Sequence, residues 1–153
     1  SDLVMRQLDI STQCLVVSPD LIEGHKTPLS SPQDLRSLPS LSMASPNDKH
    51  MWHLEHGDGQ MQSIPHTPTL ITEDMSVLRE AALAGVGVVQ LPTMMIWQDI
   101  EAGRLTHILP AWRPKAGIIH AVFPSRRGLL PSVRALLDFL TQECAAQRNR
   151  ITL

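Results

Sequence analysis

Apolar residues come in short runs, separated by proline, glycine and serine. Gln13-Cys14-Leu15-Val16-Val17 is rich in β-branched residues and stops at Ser18-Pro19, which predicts a buried strand. Ser31-Pro32-Gln33-Asp34 places a capping serine, a first-turn proline and a carboxylate at the start of a short helix. Leu35 and Leu38 face inward, and Pro39 ends that helix. Leu41–Ala44 predicts a strand. Residues 45–68 are polar and predict a long loop or a ragged hairpin turning at Gly57-Asp58-Gly59. Thr69–Thr72 is another short strand. From Asp74 the spacing becomes helical, with Met75, Leu78, Ala81, Ala82 and Leu83 on the apolar stripe and Gly85 as a left-handed terminator.

Gly87–Pro92 predicts the next strand. Thr93 then caps a helix carrying Ile96, Trp97 and Ile100, which Gly103 ends. Leu105–Leu109 and Gly117–Phe123 are further strands. Pro131 opens the last helix, where Val133, Leu136, Leu137, Leu140 and Cys144 form an inward stripe. Strands alternating with helices predict βαβ units, hence an α/β fold with a mostly parallel sheet.

The composition, 42% hydrophobic and 18% charged, excludes a disordered or collagen-like chain of these 153 residues. One domain suits that length. No apolar run is long enough to span a bilayer, and the N-terminal residues carry no signal peptide pattern, so a cytoplasmic protein with no membrane contact is expected. Thirteen basic against fifteen acidic side chains give a net charge of −2, which offers no electrostatic footprint for nucleic acid. Tyrosine is absent and Phe occurs twice, so a base-stacking platform is not expected either. Cys14 and Cys144 sit in apolar segments and read as free thiols rather than a disulfide.

The candidate chemistry is sparse. Ala84-Gly85-Val86-Gly87-Val88 has the look of a dinucleotide fingerprint, but its glycines end a helix and enter a strand, the reverse of a phosphate-binding turn. Gln90 stands where the third glycine belongs. His50, His53 and His56 are spaced by three beside Asp48, Glu55 and Asp58, yet Pro46, Gly57 and Gly59 leave no room for a helix to gather them. They read as a solvated loop, with no metal. Asp2, Asp9 and Asp20 lie in weakly structured segments, so no carboxylate pair can be argued. Nucleophile-elbow, zincin and P-loop motifs are missing, and no catalytic residue or cofactor is expected. Ser125-Arg126-Arg127 reads as a solvated basic turn.

One arrangement is more specific than any of these. It begins with Leu15-Val16-Val17-Ser18-Pro19-Asp20-Leu21 and Pro32-x-Asp34-Leu35. It continues with Thr72-x-Asp74-Met75-x-x-Leu78, then Ala81-Ala82-Leu83-Ala84-Gly85-Val86-Gly87-Val88-Val89-x-Leu91-Pro92. Gly103-Arg104-Leu105, Ile108-Leu109-Pro110-x-Trp112, His120-Ala121-Val122-Phe123-Pro124 and Pro131-x-Val133-Arg134-Ala135-Leu136-Leu137 complete it. In order and spacing this resembles the C-terminal, effector-binding region of LysR-type transcriptional regulators, over roughly residues 1–145.

The resemblance implies a periplasmic-binding-protein-like fold of two α/β subdomains joined by crossing strands. Residues 14–118 would be the second regulatory subdomain, 1–13 and 119–146 remnants of the first, and 147–153 a tail. Val17, Ser18, Ile119 and His120 would be hinge positions. The winged helix-turn-helix and the opening of the first subdomain are not in the sequence, so DNA binding would belong to a missing N-terminal domain. The full protein would be a dimer or tetramer that senses a small-molecule effector. The same architecture serves periplasmic solute-binding proteins, which are the alternative, and a metal-dependent enzyme is a third reading.

Physical chemistry points to the same role. Open sheets bind ligands beyond the C-terminal ends of their strands. Ser42, Ser45 and Thr72 offer hydroxyls there, and the helix starting at Asp74 and Met75 offers free N–H groups, a set suited to an organic acid.

Overall fold

The computed structural model describes residues 3–24, 28–125 and 130–151. They form two units, Thr12–Lys115 and the pair of segments Ser1–Ser11 and Ala116–Leu153. Arg126 and Arg127 of the basic turn lie outside the described residues.

The unit Thr12–Lys115 is organised around β2 (Gln13–Val17), which lies between β7 (Val89–Pro92) and β8 (Thr106–His107), antiparallel to both. β3 (Leu41–Met43) runs parallel to β6 (Leu70–Thr72), and a parallel bridge ties Ser40 to Val88 just before β7. β4 (Met51–His56) pairs antiparallel with β5 (Met61–Pro65) on one side and β9 (Trp112–Pro114) on the other. The polar stretch is thus a hairpin, turning through Gly57-Asp58-Gly59 with Gly59 at φ 93°.

The expected mostly parallel sheet is corrected by these ladders. Among the described residues only β3–β6 is a parallel ladder, and the other ladders are antiparallel. The reason is one reversed strand. β3, β6, β7 and β8 do run the same way, as helix-linked strands should. β2 inserts between β7 and β8 in the opposite direction and turns both contacts antiparallel, and the β4–β5 hairpin is antiparallel by construction.

β2 is buried on both faces, and its alternation divides the core in two. Leu15 and Val17 join Trp52, Leu54, Ile64, Val88 and Trp112. Cys14 and Val16 join Leu41, Leu78, Ala82, Val89, Leu91 and Ile96 beneath α2 (Met75–Leu83) and α3 (Thr93–Glu101). α2 ends as its sequence requires, with Gly85 at φ 82°. Gly87 serves a different need, because a Cβ there would stand 2.8 Å from the Pro39 carbonyl oxygen. That close approach lets Val88 N–H donate to Pro39 O at 2.9 Å and carries β7 alongside β3.

Several local expectations change. α1 (Pro19–Glu23) gives Asp20 a helical place, while the short helix expected after Ser31 is present over Pro32–Ser37 with 3-10 geometry. Thr93 is the first residue of α3, not its cap, because its hydroxyl is engaged by Thr12 Oγ1 at 2.9 Å and Cys14 Sγ at 3.1 Å. The strand expected over Leu105–Leu109 shrinks to β8, with Leu109 at φ 48°.

The second unit pairs β1 (Leu3–Ser11) antiparallel with β10 (Gly117–Pro124), with a register shift between Gln7 and Asp9. Asp9 is therefore an ordered, buried strand residue, hydrogen-bonded by Arg148 of α4 (Pro131–Arg150). Arg6 reaches Asp138 of the same helix at 3.0 Å. Of the expected inward stripe on α4 only Leu137 is buried, while Val133, Leu140 and Cys144 are half-buried and Leu136 is 55% exposed. Among the described residues β10 has a single sheet neighbour, β1, so little apolar surface is present to cover that stripe.

Candidate functional site

The C-terminal ends of β3 and β6 meet in register, Met43 opposite Thr72, and Ala44 N–H donates to Thr72 O at 3.1 Å. This pairing brings most of the sequence-derived set to one end of the sheet. Ser42 lies one residue before the end of β3, opposite Ile71. Ser45 follows two residues after β3 and donates its hydroxyl to Asn47 Oδ1 at 2.8 Å. Thr72 closes β6, and its Oγ1 accepts the Asp74 N–H at 3.1 Å.

Asp74 is the N-cap of α2. Its Oδ1 accepts the Ser76 N–H at 2.8 Å. Helix geometry leaves Met75 and Val77 N–H without intrahelical acceptors. Met75 itself is 41% exposed and does not join the apolar stripe expected of it. Of the hinge candidates, Val17 and Ser18 belong to the unit Thr12–Lys115, and Ile119 and His120 to the other. Val17 and Ser18 are buried, and Ser18 Oγ accepts the Asp20 N–H as the cap of α1. Ile119 and His120 sit in mid-strand on β10, opposite Asp9 and Gln7.

The geometry adds residues that sequence reasoning passed over. Leu41 points into the helix-covered half of the core, so Ser40 and Ser42 point to the other face of β3. Ser40 Oγ lies 2.7 Å from His66 Nδ1, and Ser42 Oγ lies 2.9 Å from His50 Nδ1. The His66 ring stacks on buried Trp52 with centroids 3.9 Å apart, and meets the His50 ring edge-on at 6.0 Å. Burial, and then the neighbouring His50, push His66 down to about 4, so it is neutral at physiological pH.

The three evenly spaced histidines are not brought together. His53 is exposed and bonded to Ser63 Oγ at 2.9 Å, whereas His56 pairs with Asp58 at 3.0 Å and lies edge-on to Trp112. A spacing of three on a strand sends side chains to opposite faces. Among the described residues no group of His, Cys, Asp and Glu could hold a metal, and no helix is long and apolar enough to cross a membrane. The signal that could have found the Ser–His cluster was the polar–apolar–polar pattern Ser40-Leu41-Ser42 within a core strand.

Comparison with known proteins identifies the surroundings of this site. A family model described as the LysR substrate binding domain matches residues 1–145. An HTH-type transcriptional regulator of Xanthomonas campestris pv. campestris is 28% identical over 144 residues, 92% of this chain and 41% of that protein. The HTH-type transcriptional regulator CrgA of Neisseria meningitidis serogroup B is 28% identical over 94% of this chain and 47% of its own length. The solved CrgA regulatory domain superposes with a TM-score of 0.78 at 27% identity, covering 94% of this chain and 70% of that one. The chain therefore spans less than half the length of these curated relatives.

Proposed function

The chain belongs to the LysR substrate binding domain family, the effector-binding domain of LysR-type transcriptional regulators and a regulatory rather than catalytic module, and from that premise we propose that it takes a small organic acid at the C-terminal ends of β3 and β6. The observation that carries this reading is the in-register pairing of Met43 with Thr72. It puts residues Ser42, Ser45 and Thr72 and the first turn of α2 at one end of a sheet, where open α/β sheets bind ligands. Asp74 caps α2 with its own carboxylate, which leaves the Met75 N–H and the Thr72 O–H to receive an anionic oxygen, while Ser45 would have to exchange its bond to Asn47 for one to the ligand.

In the full protein, occupancy of this site controls DNA binding by an N-terminal winged helix-turn-helix, as the relatives' descriptions as HTH-type regulators suggest. That protein is a cytoplasmic homo-oligomer, touching DNA through the N-terminal domain alone. Val17, Ser18, Ile119 and His120 act as its hinge positions. Residues 14–118 form its second regulatory subdomain, 1–13 and 119–146 belong to its first, and 147–153 are its tail. No cofactor enters this function.

The test is a double substitution, Ser45→Ala with Thr72→Ala, in the full-length regulator. The effector concentration for half-maximal response should rise about tenfold or more, the loss of roughly one to two hydrogen bonds, with the melting temperature unchanged. An identical dose–response curve overturns the site.

A further inference from the structure

The β4–β5 hairpin and strand β3 belong to different sheets, and among the described residues no ladder joins them. They meet through two histidines at the open end of the hairpin. His50 precedes β4, His66 follows β5, and His66 N–H donates to His50 O at 3.0 Å. Their rings reach two serines on one face of β3. Ser40 Oγ lies 2.7 Å from His66 Nδ1, and Ser42 Oγ lies 2.9 Å from His50 Nδ1.

This clasp has no place for charge. β3 offers the rings hydroxyls alone, and β4 offers His66 the indole of Trp52. The titratable group facing His66 is His50, with ring centroids 6.0 Å apart. Among the described residues neither ring is paired with a carboxylate. A hydroxyl can donate to a neutral ring or accept from a charged one, so the serine bonds suit either tautomer. What the closed clasp lacks is a counter-charge or water for an added proton. Burial, and then His50, accordingly hold His66 at about 4.

We propose that the histidine pair is an acid-opened clasp: protonation of His66 moves its ring off Ser40 into water and frees the base of the hairpin from β3 while the rest of the core stays folded. The clasp is independent of the effector reading above. Once open, His66 returns to its ordinary value of 6.5 and takes up the proton that the closed form does not hold. Opening therefore becomes easier as pH falls from 6.5 towards 4.

The experiment is native-state hydrogen exchange on the 15N-labelled 153-residue chain at pH 6.5 and about pH 5, in sub-denaturing urea, with a titration of the histidine rings. His66 N–H reports the clasp, as does Thr69 N–H, which donates to Ser40 O at 2.8 Å. The β2 and β7 amides report the core. Protection of His66 and Thr69, corrected for intrinsic rates, should fall about tenfold between the two conditions, with little dependence on urea, as for a local opening. The β2 and β7 amides should be better protected and carry the full urea dependence of global unfolding. His66→Phe, which keeps an aromatic ring beside Trp52 but takes no proton, should abolish the pH response of Thr69.

Three results overturn the clasp. A His66 ring that titrates at 6.5 or above means that the Trp52 stack stabilises its charged form. Protection at His66 and Thr69 that does not change with pH removes the proton linkage. Exchange there with the same urea dependence as β2 and β7 means that the hairpin base opens only with the whole core. Should His66→Phe not fold, the wild-type exchange and titration decide.

Discussion

Arg79 on α2 and Asp99 on α3 form a two-point pair, with Nε 2.9 Å from Oδ2 and Nη2 2.9 Å from Oδ1. Arg104 Nε adds a third bond to Oδ1 at 2.9 Å. Asp99 is 1% exposed, so its charge depends on these guanidinium groups. Burial works to raise its pKa, but the hydrogen bonds and charges of Arg79 and Arg104 outweigh burial and hold it below the usual carboxylate range. Asp99→Ala should destabilise the chain by about 3 kcal/mol, measured by urea unfolding, because two cations then lose their shared partner. Asp99→Asn should cost less, since the amide oxygen still accepts one bond. An Asp99→Ala midpoint equal to the wild type contradicts this account.

His66 makes stability depend on mild acid. Its folded value of about 4 lies below the ordinary 6.5, so the unfolded chain takes up the proton first. Stability should therefore decline as pH falls from 6.5 towards 4. Below that window the Asp99 contribution is lost in turn, since a carboxylate with a depressed pKa stabilises only above its folded value. His66→Phe should flatten the upper window and leave the lower one. Denaturant midpoints taken across this range decide the matter.

Gly87→Ala should destabilise by about 1–3 kcal/mol, the usual cost of forcing extra volume into a packed site. The added methyl would meet backbone atoms of Pro39 and Ser40, which cannot swing aside as a side chain can. Gly57→Ala, in the β4–β5 turn with open space around it, is the matched control and should change stability by less than about 1 kcal/mol. Equal thermal shifts in the two variants would refute the crowding at Gly87.

The two thiols should differ in reactivity. Burial pushes the Cys14 thiol up, against the weaker opposing effect of its hydrogen bond to Thr93, and the side chain is 4% exposed. Cys144 is half-buried on α4. A disulfide reagent should titrate one thiol promptly in the native chain and the second only on unfolding. Mass mapping that finds Cys14 modified first would contradict the structure.

The outer face of the β1–β10 pair should drive association of the 153-residue chain. Met5 faces Val122 and Ile10 faces Ile118 across the ladder, each more than half exposed. Such an in-register apolar surface beside an open strand edge favours pairing with another molecule. Sedimentation velocity should show concentration-dependent dimers or larger species, reduced by Met5→Lys with Val122→Glu. A strict monomer at all concentrations rules this association out.

Local codes determined much of this protein. Cys14–Val17 became a strand buried on both faces because β-branched residues alternate between two cores. Asp74 and Gly85 bounded α2, and Gly57-Asp58-Gly59 placed the hairpin turn, because capping and left-handed turns are settled within a few residues. The spacing from Thr72 through Pro92 was specific enough to carry the family resemblance that the match over residues 1–145 establishes. Other features needed the tertiary structure. β1 mixes Arg6, Gln7 and Asp9 among apolar residues and is a strand through its pairing with β10, more than a hundred residues away in the chain. The direction of the ladders turned on β2 inserting between β7 and β8, which no run of neighbouring residues encodes. His50 meets Ser42, and His66 meets Ser40, across the space between β3 and the β4–β5 hairpin. Such contacts arise from strand order and register, and those are selected by the free energy of the whole core rather than by the preferences of the residues that meet.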